Sequence, residues 1–286
     1  MTESPQQRPD QQLFAPALGE IRQAGRLAGR RILMVGAGQR RIEEENPPVG
    51  NGRAMSVLFA REGAAVACAD IDAGSAQETL DWIVREGGSG VVLQADVSDP
   101  AQIARMVREA VSALGGLDGL VFNVGIGNPN RFGGENAADW DRVQALNLRA
   151  PMLCAQEAAA VMSEGSSMVF IASAAAVSPL AGLPAYETSK AGMVALARSV
   201  AFAGQRTGLR ANTLAPGLID TPLGRHANSV NAARAARIPL PFGRQGTAWE
   251  VANAALFLIS TESSYVNAQL LVLDGGMLSG AVRAPA

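Results

Sequence analysis

The sequence predicts an α/β fold, a doubly wound parallel sheet of seven strands built as a single domain. Three observations predict it. Seven short apolar runs alternate with six amphipathic stretches of helical period, the pattern left by strands joined through crossover helices. The first run opens into a glycine-rich turn ahead of a helix, and the second ends on an aspartate. Neither a linker nor a fixed-period repeat divides the chain.

In order, the strands are expected at Ile32–Val35, Ala64–Ala69, Gly90–Gln94, Leu117–Phe122, Ser167–Ala172, Arg210–Ala215 and Gln269–Leu273. Each is a short run without helical period, as fits a strand buried on both faces. Helices are expected between them at Arg53–Glu62, Ser75–Arg85, Pro100–Leu114, Ala137–Met162, Ala185–Thr207 and Thr247–Ser260. Residues 1–24 are rich in Gln, Pro and charge around a mixed patch at Leu13, Phe14 and Leu18. They read as a flexible N-terminal arm, which leaves 25–286 as the domain.

Composition excludes several classes. With 286 residues, 48% of them hydrophobic and 17% charged, the chain can bury a full core. A formal charge of -2 speaks against a nucleic-acid or anionic-membrane partner. The single histidine, His226, rules out a His-rich metal site, and no metal is expected. Cys68 and Cys154 stand in apolar contexts as buried thiols rather than a disulfide. The chain has no long uncharged apolar span and no basic start followed by an apolar run, so a cytoplasmic location is expected.

In a doubly wound sheet the ligand sits outside the strand C-termini, and backbone N–H groups of a glycine turn can approach a pyrophosphate. Here Gly36-Ala37-Gly38-Gln39 is followed by ten residues, Arg40 to Val49, and then by Gly50-Asn51-Gly52. Without those ten, the glycines fall at phosphate-turn spacing; the alternative is an ordinary glycine-rich loop. Three successive glutamates, Glu43 to Glu45, cannot face a pyrophosphate, and Pro47-Pro48 cannot continue a helix. The insert is therefore expected to leave the turn and to let Gly36, Gly50 and Gly52 converge. Ile42 would anchor it, as a rim over the adenosine side of the cleft or as a decoration without cofactor contact.

Asp70, in Ala69-Asp70-Ile71-Asp72, can accept both hydroxyls of an adenosine ribose and repel a 2'-phosphate, which points to NAD over NADP. Its alternative is a turn or cap, the role expected of Asp72. Asp96-Val97 after the third strand could meet the adenine edge, and Asn123-Val124-Gly125 after the fourth is a small-residue turn that permits close approach. Asn147 interrupts a good helix among apolar neighbours, so it faces solvent or makes a specific buried hydrogen bond.

Tyr186 and Lys190 lie four apart and share one helical face. A nearby ammonium stabilises a phenolate and fits tyrosine for acid-base work near neutrality. Ser173, thirteen residues before the tyrosine at a strand end, can hydrogen-bond the oxygen on which charge develops. Taken alone, the pair reads more readily as a core tyrosine and a surface lysine.

Together, in this order, these residues resemble the classical short-chain dehydrogenase/reductase family over about Gly25 to Met277. The resemblance implies a Rossmann fold and a catalytic tetrad of Asn147, Ser173, Tyr186 and Lys190. Tyr186 would exchange the proton and Ser173 anchor the substrate oxygen. Lys190 would also hold the nicotinamide ribose, and Asn147 a water in a proton relay. It further implies cofactor contacts at Gly36, Gln39, Gly50, Asn51, Gly52, Asp70, Ile71, Asp96, Val97, Asn123 and Gly125. Pro216, Gly217, Ile219 and Thr221 would lie beside the nicotinamide, and the assembly would be a homotetramer.

Four departures stand out. Val35 replaces the threonine that opens the family's glycine turn, and Phe122 replaces the first asparagine of its Asn-Asn-Ala-Gly. Because those positions neighbour each other in the family, the pair reads as one exchanged contact. The insert and the N-terminal arm are the others.

The expected function is NAD-dependent interconversion of a secondary alcohol and a ketone. The alternatives are an NADPH-dependent 3-ketoacyl reductase and a non-catalytic dinucleotide-binding regulator. A substrate lid is expected over about 221–242. Its Arg225, His226, Arg234 and Arg237 would meet an acidic substrate or form a solvated face.

Overall fold

The computed structural model describes residues 13–20, 24–179, 182–230 and 240–280. Strands β1 (Arg31–Val35), β2 (Ala65–Asp70), β3 (Ser89–Gln94), β4 (Gly119–Phe122), β5 (Ser167–Ile171), β6 (Arg210–Pro216), β7 (Ile219–Asp220), β8 (Gly246–Thr247) and β9 (Leu270–Leu273) are joined by eight described α-helices. These are α1 (Asn51–Arg61), α2 (Ala73–Arg85), α3 (Pro100–Leu114), α4 (Ala137–Gln144), α5 (Ala150–Ala159), α6 (Pro184–Ala203), α7 (Pro222–Val230) and α8 (Ala248–Ile259). The seven expected strands form one parallel sheet in the order β3-β2-β1-β4-β5-β6-β9. The short β7–β8 ladder lies apart from it.

The apolar runs explain the layering. Successive side chains of a strand face opposite sides, so Met34, Cys68, Val121 and Val169 pack with α1 and α8, while Leu33, Ala67, Leu120 and Met168 pack with α3, α5 and α6. Both faces of the central strands are thereby buried, as crossover helices require. Polar caps start the helices where expected: the Asp72 carboxylate accepts from Ser75 N–H at 3.1 Å, and Thr247 and Glu250 form a reciprocal capping box on α8.

The strand order reverses between β1 and β4, so the crevice of the switch point opens at their C-terminal ends. Val35 and Phe122 are register partners there, and both are fully buried in one apolar layer. The two departures thus form a single apolar contact.

Two expectations are corrected. The helix expected over Ala137–Met162 is broken by a π turn, Ala145–Arg149, where the Ala150 N–H returns to the Ala145 carbonyl. The cause is Pro151, which has no N–H to give to the Asn147 carbonyl four residues back. The arm is not loose throughout: Ala15–Leu18 form a 3-10 turn docked on α8, with Thr247 Oγ1 donating to the Ala17 carbonyl at 2.7 Å. Arg61 adds a 2.7 Å bond to the Gly19 carbonyl. No helix among the described residues is long and apolar enough to cross a membrane.

Candidate active site

The glycine turn is built by close contact. Gly36 has φ +87°, open to glycine at little cost. A Cβ on Gly52 would lie 1.8 Å from the Gly36 carbonyl oxygen, so only glycine fits there. The insert leaves and returns between Gln39 and Gly50, closed by a 2.9 Å bond from Gly50 N–H to Gln39 Oε1. Gly36, Gly50 and Gly52 therefore come together across it, as expected. Ile42 is half-buried and Glu43 to Glu45 are exposed.

Asp70 ends β2 beside this turn. Its Oδ2 accepts from Gly38 N–H at 2.8 Å and its Oδ1 from Asp72 N–H at 3.1 Å. Ser75 completes the join, accepting from Gln39 N–H at 2.8 Å and donating to the Gln39 carbonyl at 3.0 Å. The backbone N–H and carbonyl and the side-chain oxygen of Gln39 are thus all engaged in closing the insert. Asn51, in the first turn of α1, keeps a buried Oδ1 without a protein partner.

The cofactor contacts expected after β2 and β3 divide. Ile71 is 62% exposed and lines, with Gln94, Asp96, Gln102 and Arg105, a groove of about 340 Å³. The Val97 side chain instead packs in the core beneath α3, which leaves its backbone alone to face a ligand. Asn123 Nδ2 donates to the Gly36 carbonyl at 3.0 Å, tying the end of β4 to the turn.

Across the switch point, the expected tetrad converges on the ends of β4 and β5. Ser173 lies just beyond β5, and its Oγ accepts from Ala175 N–H at 3.2 Å, which leaves the hydroxyl hydrogen to donate. Tyr186 is in the first turn of α6 and Lys190 one turn later. The Lys190 ammonium sits 5.8 Å from the Tyr186 ring centroid and donates to the Ile171 carbonyl at 3.0 Å. Burial lowers its pKa from 10.5 to about 8. A Cβ on Gly125 would come within 2.9 Å of Nζ, so the small-residue turn makes room for this cation.

Asn147 is fully buried. Its Oδ1 accepts from Ile126 N–H at 2.9 Å, and Nδ2 donates to the Ile126 carbonyl at 2.8 Å and to Ser189 Oγ at 3.0 Å. Ser189 in turn donates to the Tyr186 carbonyl at 2.7 Å. Both amide hydrogens of Asn147 are committed, so its side chain braces the β4 turn against α6. Sequence reasoning missed Ser189, although it stands directly before Lys190.

Pro216 ends β6, and Gly217 packs so closely on Asp274 that a Cβ would meet the Asp274 Cβ at 2.7 Å. Ile219 enters β7, and Thr221 Oγ1 accepts from Gly224 N–H at 3.1 Å at the start of α7. Arg225 is engaged rather than presented to a substrate: it grips Asp220 through two 2.7 Å bonds and pairs with Glu44 of the insert. Those carboxylates raise its pKa further. His226 is exposed, while Arg234 and Arg237 lie outside the described residues. No cluster of metal-ligating side chains occurs among the described residues.

Residues 49–278 match the family model described as Enoyl-(Acyl carrier protein) reductase. The chain is 31% identical over 259 residues to the 2,5-dichloro-2,5-cyclohexadiene-1,4-diol dehydrogenase LinX of Sphingobium indicum, covering 90% of this chain and 99% of that one. It is 33% identical over 260 residues to the 3-oxoacyl-[acyl-carrier-protein] reductase FabG of Thermotoga maritima, covering 88% and 99%. Among solved structures it resembles a short-chain dehydrogenase/reductase from Burkholderia xenovorans, with TM-score 0.82, 36% identity and coverage of 90% and 100%. A short-chain dehydrogenase from Burkholderia cenocepacia in complex with NADP gives 0.79, 30% and coverage of 88% and 99%. With this fold, this site and these relatives, the chain belongs to the short-chain dehydrogenase/reductase family of oxidoreductases.

Proposed function

We propose that the protein is an NAD-dependent oxidoreductase that interconverts a secondary alcohol and a ketone, with Tyr186 as general acid/base. The observation that carries this reading is the buried Lys190 ammonium, held by the Ile171 carbonyl beneath the Tyr186 ring. A binding protein without turnover could use Lys190 alone for a ribose, but it has no need of a phenol set beside that buried cation.

The residues fit a dinucleotide. Gly36 and Gly52 let the turn and the start of α1 pack backbone against backbone, and the first turn of α1 offers N–H groups with the unpartnered Asn51 Oδ1. Asp70 would take the adenosine ribose, Lys190 the nicotinamide ribose, and Ile71, Asp96 and the Val97 backbone the adenine. Pro216, Gly217, Ile219 and Thr221 would flank the nicotinamide. When bound, the nicotinamide supplies the acceptor or donor of the hydride.

In the oxidative direction the Tyr186 phenolate takes the hydroxyl proton of the substrate at Oη. Ser173 Oγ gives its free hydrogen to the substrate oxygen and holds it in place. Lys190, while protonated, stabilises the phenolate. A relay water would bind at the Asn147 carbonyl, which Pro151 leaves without its α-helical N–H. In the reductive direction Tyr186 returns the proton to the carbonyl oxygen.

An NADPH-dependent 3-ketoacyl reductase is the second reading, favoured by the likeness to the Thermotoga maritima reductase. Asp70 opposes it, since a carboxylate repels a 2'-phosphate. A panel of secondary alcohols and ketones, run with NAD(H) and with NADP(H), separates the two. We also propose a homotetramer, with α4, the π turn and α6 packing between subunits. Leu148, Met152 and Leu196 line an open groove of about 490 Å³ there. A monomer in light scattering would contradict it.

A further inference from the structure

We infer that the insert at 40–49 ties the cofactor turn to the lid helix, and that Glu44 is a positioning residue which, through Arg225, sets how fast the cofactor leaves. The first half of this inference rests on contacts alone; the second rests on the dinucleotide reading above. A decoration without a role needs no hold on both flanks of a cleft. This one is fastened on both.

At its base the insert is closed by Gln39 and Gly50. On the side of Asp70, Arg41 pairs with Glu78 of α2 at 2.7 Å, and Glu78 also receives Arg53 of α1 at 2.9 Å. On the opposite side, Glu44 pairs with Arg225 of α7, whose guanidinium is already locked to Asp220 of β7. Half-buried Ile42 and Val49 hold the excursion down, and Pro47-Pro48 restrict its backbone. The chain therefore crosses from the flank that ends β2 to the flank that follows β6, over the turn formed by Gly36, Gly50 and Gly52.

A dinucleotide lying in the crevice between those flanks leaves only when α7 or the insert moves. Lid opening is often the slow step of such enzymes. The Glu44–Arg225 pair must break in that motion, and each of its side chains is about 40% exposed (39% and 38%). An exposed pair is worth little, so its loss should speed opening by only about two- to fivefold. Salt should weaken the tie.

The test uses the full chain with Glu44→Gln and Glu44→Arg, and with Glu43→Gln as a control for charge alone. Hydrogen exchange of the 222–230 amides is followed in the cofactor-free protein, and NADH dissociation is followed by displacement. Exchange and dissociation should rise about two- to fivefold in Glu44→Gln and further in Glu44→Arg. Glu43→Gln should match the wild type, and concentrated salt should bring the wild type towards Glu44→Gln. Unchanged exchange in Glu44→Arg overturns the tie. Faster exchange with unchanged NADH dissociation overturns its role in cofactor retention. Failure of the wild type to bind NADH at all sinks the dinucleotide reading and, with it, that role, while the exchange result still decides the tie.

Discussion

Replacing Lys190 by methionine should stabilise the cofactor-free protein while removing its activity, and the gain should disappear at high pH. The ammonium is fully buried, and burial lowers its pKa from 10.5 to about 8. At 1.36 kcal/mol per pH unit, keeping it charged costs the folded state about 3 kcal/mol below pH ~8. Methionine matches the length of the stem without that cost. It also removes the bond to the Ile171 carbonyl, and an orphaned carbonyl gives back about 1–3 kcal/mol. The net gain near neutrality is therefore between about 0 and 2 kcal/mol. The pH dependence is the sharper quantity. Between the folded and unfolded pKa values the unfolded chain holds the proton and the folded chain does not, so wild-type stability rises with pH across that window. The variant has no such group, so its stability relative to wild type should fall by about 3 kcal/mol between pH ~7.5 and ~10.5. Urea unfolding of both proteins at one concentration, at both pH values, measures it. A difference that stays constant with pH would refute the reasoning, because the lysine would then be charged at no cost.

Tyr186→Phe should lose turnover by about 100-fold or more with cofactor binding nearly unchanged, since only the proton-transferring hydroxyl is deleted. Steady-state rates and NADH titration check both halves. Asp70 should favour NAD over NADP by at least about tenfold, or ~1.4 kcal/mol, and Asp70→Ala should shrink that ratio; specificity constants for both cofactors read it. Gly125→Ala places a methyl within 2.9 Å of Lys190 Nζ, so kcat should drop in a protein whose thermal unfolding remains cooperative. Deleting Arg40 to Val49 should leave turnover at saturating NAD within a few-fold while weakening NAD, as kcat and KM measured together would show.

Much of this was legible in residues. Strand positions follow from apolar runs because a sheet buried on both faces tolerates little else, and Val35 and Phe122 could be paired because both depart from one family contact. Convergence of Gly36, Gly50 and Gly52 followed from what three glutamates and two prolines cannot do. The π turn was missed although its cause, Pro151, is a single residue. A proline one turn after a buried polar side chain reads locally as a kink or as a new helix, and only packing chooses between them. Ser189 was hidden for another reason, since a serine next to a motif lysine carries no periodic signal. The Glu44–Arg225 pair joins residues 181 apart in the chain, beyond any spacing rule.

The most direct test of the account is absorbance at the reduced-cofactor wavelength, followed for the wild type and Tyr186→Phe on a panel of secondary alcohols and ketones, with NAD(H) and NADP(H) in parallel. The account predicts turnover by the wild type with at least one substrate, faster with NAD(H), and its near-complete loss in a Tyr186→Phe protein that still binds NADH. Turnover by Tyr186→Phe at half the wild-type rate would contradict it.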